Sequence, residues 1–259
     1  MSSRLNAFLN SLGFAIVLLV NTMASVLKIN GYNTGEISDL YPNYFVPAGF
    51  TFIIWSVIYI MIIGFVMCSV AATGTKMAEP IKEIIKKASP YFQVTCLLNI
   101  AWLLTWQYLY LASSVVIMIA FLITLIILYT KIRGLKNTLT PFYRFWVYHT
   151  FVVYLAWICV ATIANFTALF IGIGWQGSPL GEESWSVIMI VVALLLGIIF
   201  VGKRKEPAYG FVLSWAFFGI YAKQLTDSKE VSTAAALSVC ILLALNITIL
   251  IKTRRFKAS

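Results

Sequence analysis

The 259-residue chain is 61% hydrophobic and only 11% charged, with a mean hydropathy of +0.92; soluble domains run at roughly 45–50% and about 25%. So few charges cannot coat a soluble globule of this length. A soluble enzyme, a disordered chain and a disulfide-stapled secreted domain are excluded, which leaves an integral membrane protein built of helices. The net charge of +10 then reads as loop charge held on the untranslocated side, with no nucleic acid as partner, because no basic stretch outside the apolar runs carries interleaved aromatics.

Crossing about 30 Å of hydrocarbon takes roughly 20 apolar residues. Eight runs qualify as candidate spans: 8–27, 48–71, 90–111, 114–131, 143–172, 185–202, 208–223 and 232–251. The first follows Arg4 and is long, with no small-x-small cleavage site behind it, so it reads as a span rather than a signal peptide. Segment 28–46 is polar, rich in Tyr and punctuated by Gly31, Gly35 and Pro42. It is expected to be ordered by turns rather than by a helix, and is a candidate lid. The third and fourth runs are split only by Ala112, Ser113 and Ser114, which predicts a tight helical hairpin. The fifth run is long enough to tilt or to project into water. The seventh is the shortest. The expected fold is an all-α polytopic membrane helical bundle with about eight transmembrane helices.

Charge orients these spans. With the N-terminus in the cytoplasm, the inside segments hold Arg4; Lys76, Lys82, Lys86 and Lys87; Lys131, Arg133, Lys136 and Arg144; Lys203, Arg204 and Lys205; and Lys252, Arg254, Arg255 and Lys257. Outside remain only Lys28, Lys223 and Lys229. An even span count with both termini cytoplasmic satisfies this asymmetry.

A polar side chain in hydrocarbon is costly unless paired. No Asp, Glu, Lys or Arg sits in the middle of a span, which argues against an ion-driven transporter and supplies no catalytic carboxylate pair. Cys68, Cys96, Cys159 and Cys240 lie in apolar runs without a CxxC pair and read as small buried hydrophobes. With His149 as the single histidine, no His/Cys metal cluster can be assembled, and no metal site is expected. His149 itself reads as an interfacial or satisfied histidine near the cytoplasmic end of its span.

Asn and Trp recur at helical spacing instead. Asn99, Trp102 and Trp106 share one face of the third span, and Trp157, Ala161 and Asn165 share one face of the fifth. Trp55 and Tyr59 are one turn apart on the second, just beyond Gly49 and Phe52. Two readings stand side by side. One is glue between helices, with amides bonding across them and indoles filling volume. The other is a pocket with aromatic walls and a few amides, as a flat apolar ligand requires.

The stretch Pro47-Ala48-Gly49-Phe50-Thr51-Phe52-Ile53-Ile54-Trp55-Ser56-Val57-Ile58-Tyr59 resembles the second-helix motif of the translocator protein family (TspO/MBR, the tryptophan-rich sensory proteins). Leu98-Asn99-Ile100-Ala101-Trp102 resembles its third-helix motif. Tyr154-Leu155-Ala156-Trp157, followed by Ala161 and Asn165, is similar to its fifth-helix motif. The resemblance covers roughly 8–172, and the last three spans look like the extension of longer bacterial members. It implies a five-helix core over 1–172 and a three-helix membrane extension over 173–259. After Asn165 the sequence has no Tyr followed by Arg, so the family's C-terminal sterol motif is missing.

What the resemblance implies is a binding or sensory membrane protein in a bacterial cell membrane. Its ligands would be flat and apolar, a porphyrin or another tetrapyrrole, with no obligatory cofactor and with homodimers among its assemblies. Carried over by position, the ligand-binding residues are Trp55, Tyr59, Asn99, Trp102, Trp106, Trp157, Ala161 and Asn165. Pro47 and Gly49 would form the lid junction. Porphyrin breakdown by an enzyme and transport of a small metabolite are the alternative functions.

Overall fold

The computed structural model describes residues 2–74, 77–175 and 177–258, with side chains described as far as Thr253. Lys76 and the side chains of Arg254, Arg255 and Lys257, counted above as cytoplasmic charges, lie outside the described residues. The described residues are helical with no strand. The helices are α1 (Ser3–Val26), α2 (Thr34–Asp39), α3 (Ile54–Ala71), α4 (Glu79–Gln107), α5 (Leu111–Arg133), the single turn α6 (Pro141–Tyr143), α7 (Thr150–Gly172), α8 (Glu182–Ile198), α9 (Pro207–Gln224) and α10 (Lys229–Ala258). Wider π-type turns, Arg144–His149 and Ile199–Lys203, join α6 to α7 and extend α8.

Each of the eight expected spans falls on a helix. Among the described residues, six stretches are long and apolar enough to cross a membrane: Ser3–Val26, Gly49–Ala71, Leu111–Arg133, Pro141–Gly172, Glu182–Lys203 and Lys229–Thr253. The other two helices are less apolar for visible reasons: α4 carries Gln93, Asn99 and Gln107, and α9 carries Tyr209, Ser214 and Gln224. Large apolar side chains also cover the outside. Leu19, Met67, Leu97, Val116, Leu195 and Leu237 are all exposed. A surface this apolar suits hydrocarbon, not water.

Two local expectations are corrected. Segment 28–46 contains a helix, α2, because Asn33 and Glu36 build a capping box. The side-chain Oδ1 of Asn33 accepts from the Gly35 and Glu36 amides, both at 2.9 Å, and the Glu36 carboxylate accepts from the Asn33 backbone amide at 2.8 Å. The break between the third and fourth spans falls at residues 108–110, not at Ala112, Ser113 and Ser114, which lie in the opening turns of α5. Leu109 adopts a left-handed φ of 59° there. The Tyr108 amide bonds back to the Leu104 carbonyl at 3.1 Å and the Tyr110 amide to Thr105 at 2.8 Å, which closes α4. Of the cysteines, Cys68 and Cys96 are buried, but Cys159 is half-buried and Cys240 is exposed on the apolar surface of α10.

Backbone contacts divide the chain into two compact units, Met1–Ile37 with Ile53–Ile158, and Ser38–Phe52 with Cys159–Ser259. Residues 159–172, which the sequence reading put in the five-helix core, group by contacts with the C-terminal helices.

The first unit packs α1 against α3 and α4, and α4 against α5. Its interior holds Phe65, Phe92 and Phe151, all fully buried, with ring centroids 4.8–6.0 Å apart in edge-to-face geometry. Such pairs add about 0.5–1.5 kcal/mol each beyond simple area burial. Gly64 lets α3 approach the Trp146 indole so closely that a Cβ would stand 2.1 Å from a ring carbon.

The second unit packs α9 against α10 and α8 against both. Segment 38–52 joins it as an ordered strap along α9. The Ala48 amide donates to the Gly219 carbonyl at 3.0 Å, the Trp215 indole N–H to the Thr51 carbonyl at 2.9 Å, and Lys223 pairs with Asp39 at 2.8 Å. Gly219 is needed where Thr51 and Pro47 press on the helix backbone.

Candidate functional site

The first unit brings six of the sequence-predicted site residues together. Trp55 and Tyr59 stand one turn apart on α3, with rings 5.6 Å apart. Trp102 and Trp106, one turn apart on α4, stack at 6.3 Å with planes inclined by 22°. Trp55 stacks on Trp102 across the two helices at 5.8 Å and 25°. From α7, Tyr154 and Trp157 meet the Trp55 ring edge-on at 6.1 and 6.3 Å. Three indoles thus form a shallow stair of nearly parallel faces. Trp102, Trp106 and Trp157 are buried, whereas Trp55 is half-buried.

An amide and phenol network runs beside the rings. The Tyr59 hydroxyl donates to the Asn21 side-chain Oδ1 at 2.6 Å. The Asn21 amide donates to Asn99 Oδ1 at 3.0 Å and to the Val17 carbonyl at 2.9 Å. Asn99, fully buried, donates onward to the Tyr154 hydroxyl at 3.3 Å. Four helices are tied by this chain of bonds, which removes the penalty each amide would otherwise carry in hydrocarbon. Asn21 and Tyr154 complete the network and were not among the predicted site residues. Asn21 was legible only as an amide inside the first span, since its partners lie far away in sequence. Tyr154 stood in the quoted fifth-helix motif without a role.

The segment after α1 lies across this end of the unit. The Trp106 indole N–H donates to the Thr34 carbonyl at 3.1 Å. Gln107, fully buried, donates to the Ile29 and Tyr32 carbonyls at 2.9 and 2.8 Å, and its own carbonyl accepts from Asn30 at 3.0 Å. Lys28 sits 2.7 Å from Glu36. That hydrogen bond, followed by the Asn33 amide, holds the Glu36 carboxyl below the usual carboxylate range.

The remaining predicted residues belong to the second unit. Asn165 donates to the Ala161 carbonyl one turn back at 3.1 Å, a bond within its own helix. Pro47 is buried against Gly219, while Gly49 is exposed at the start of a short 3-10 turn, with open space where a Cβ would stand.

The first-unit cluster offers flat π faces for stacking, held in place by amide and phenol groups bonded to one another. Comparison with known proteins gives no match among curated proteins and none among solved structures. It does give a family: residues 7–249 match the model of the TSPO-like proteins, beyond the 8–172 that carry the motifs and into the last helix. With spans of membrane-crossing length, stacked indoles on α3 and α4 and a match over most of its length, the chain is an integral membrane protein that belongs to the TSPO-like protein family.

Proposed function

We propose that the protein binds a flat, largely apolar ligand of the porphyrin or tetrapyrrole class, as a sensory or binding protein of the membrane. The observation that carries this reading is the near-parallel stack of Trp55, Trp102 and Trp106, with Trp55 the least buried of the three. A planar macrocycle would extend that stack at the Trp55 face. Tyr59 and Asn99, locked by the amide network, would hold the indole faces at fixed angles. Such preorganisation lowers the ordering cost of binding. The anchored segment 28–36 would keep water from the Trp106 end. The excess of basic residues on alternate loops supports cytoplasmic placement of both termini; the membrane we infer, from the resemblance to longer bacterial members, is that of a bacterial cell.

The test is titration of the purified protein with protoporphyrin, followed by quenching of Trp fluorescence. Loss of one aromatic stacking contact, about 0.5–1.5 kcal/mol, corresponds to roughly two- to twelvefold in Kd. Trp55→Leu is expected to weaken binding within that range while circular dichroism stays unchanged. Saturable quenching with the same Kd in wild type and variant would remove the stack from the binding reading.

A further inference from the structure

The loop between α5 and α7 gathers positive charge that acidic residues do not balance. No Asp or Glu occurs between Glu83 and Glu182, a run whose basic residues include Lys131, Arg133, Lys136 and Arg144. The carboxylates of the first unit are engaged elsewhere: Glu36 with Lys28 at 2.7 Å, Glu79 with Lys82 at 3.0 Å and Glu83 with Lys87 at 2.7 Å.

Packing places three of these cations around one pair of rings. Tyr129 on α5 and Tyr148 in the turn that opens α7 are both buried, with ring centroids 6.3 Å apart. Arg133 follows Tyr129 by four residues, one turn further along the same face of α5. Arg144 precedes Tyr148 by four residues, about one turn toward the same end of the unit. Lys136 joins them with its ammonium 5.7 Å from the centre of the Tyr148 ring. The loop fixes Arg144 in this position. Its Nε donates to the Lys136 carbonyl and its Nη2 to the Leu139 carbonyl, both at 3.0 Å, which leaves Nη1. Cations brought together over a buried aromatic floor repel one another, and an anion relieves that repulsion. Guanidinium groups with an ammonium between them suit a phosphate.

The surroundings are those of a lipid rather than a soluble ion. Phe142 and Phe145, on either side of Arg144 in the chain, are 60% and 47% exposed. The Thr150 hydroxyl lies 3.3 Å from the Met61 carbonyl, and Trp146 rests on Gly64, so this strand of the bundle runs antiparallel to α3 and begins beside its last turns. Met67 and Val70 are exposed there as well. Cationic and apolar side chains thus stand together at one end of the unit, as an amphiphile with an anionic head requires.

We infer that Arg133, Lys136 and Arg144 bind the phosphate of an anionic phospholipid of the phosphatidylglycerol type, whose acyl chains lie along Phe142 and Phe145. A zwitterionic lipid presents the same phosphate but brings its own ammonium into the group of cations, so headgroup charge is what the site selects.

The full-length protein is reconstituted in nanodiscs of phosphatidylethanolamine and phosphatidylglycerol in equal parts, and native mass spectrometry reads the lipids retained on release. Phosphatidylglycerol is expected to exceed phosphatidylethanolamine by about fivefold or more, since each basic residue near an anionic headgroup contributes about fivefold. Arg133 makes no side-chain hydrogen bond or ion pair among the described residues, so Arg133→Gln removes charge without breaking a contact. It should lower the preference by about fivefold. Lys203→Gln, which removes one exposed charge from the second unit, should leave it unchanged. Equal retention of the two lipids by the wild type, or a preference unaltered in Arg133→Gln, overturns the proposal. So does an equal fall in the two variants, which would mean general attraction of charge. A further arm adds inorganic phosphate at constant ionic strength. Lipid that stays bound supports a lipid site, and displacement overturns it in favour of a soluble anion.

Discussion

The two ends of the first unit solve the same problem in opposite ways. At one end, Asn21 and Asn99 pass hydrogen bonds between helices and on to two phenols, and both side-chain atoms of each are engaged. At the other, Asn10 is satisfied, but Asn6, one turn away, is buried with its side-chain carbonyl oxygen unbonded. Buried amides in this unit therefore divide by pairing. Where partners come from the protein the amide fixes geometry, and where one is lacking the unbonded acceptor costs stability.

That contrast can be broken at its closed end. The largest effect is expected from Asn99→Leu, which takes the acceptor from Asn21 and the donor from Tyr154. Interhelical polar bonds in membranes reach about 1.7 kcal/mol, and orphaning a partner costs about 1–3 kcal/mol, so a loss of about 1–2 kcal/mol is expected in reversible unfolding from mixed micelles. A variant as stable as wild type would mean that the network is decorative. A smaller, local effect follows from Gln107→Leu. Two carbonyls of the overlying segment lose their donor, at a cost of about 1 kcal/mol. Amide hydrogen exchange should rise over residues 29–36 while the Phe65–Phe92–Phe151 core stays protected. Uniform loss of protection would contradict a local role.

The smallest effect sharpens the comparison through pH. The folded-state Glu36 carboxyl is lowered by Lys28 and by the Asn33 amide. Its contribution is therefore complete above the ordinary carboxylate range and fades as pH falls through the lowered folded value. Exchange protection of α2, corrected for intrinsic rates, should hold at neutral pH and decline in acid. In Glu36→Gln that decline should disappear.

Much of the fold was legible in hydropathy alone, because a span is a local property of some twenty residues. Face sharing was legible as well. The spacing of Trp102 and Trp106, and of Trp55 and Tyr59, carried through to adjacent rings. Other features were not. The hairpin bend uses Leu109 rather than a glycine in the left-handed region, so no turn residue marks it. The capping box Asn33…Glu36 was written in the sequence, but a six-residue helix flanked by Gly31 and Pro42 is hard to separate from a turn. Asn21 meets Tyr59 and Asn99 only after three helices pack. The unbonded side-chain oxygen of Asn6 exists only as a difference from Asn10, which no periodicity encodes.

The missing side chain at Gly64 has a mechanical consequence. Trp146 rests on the bare backbone of α3, where any methyl would collide with its ring. A glycine in mid-helix gives away roughly 0.5–1 kcal/mol of helix preference, so the close approach must repay it. Knob and notch then fix the azimuth of the helix. Screwing it about its own axis, or sliding it by one residue, would drive a neighbouring side chain into the indole. Any displacement of α3 against Trp146 is thereby confined to swinging as a stiff lever rather than turning like a spindle.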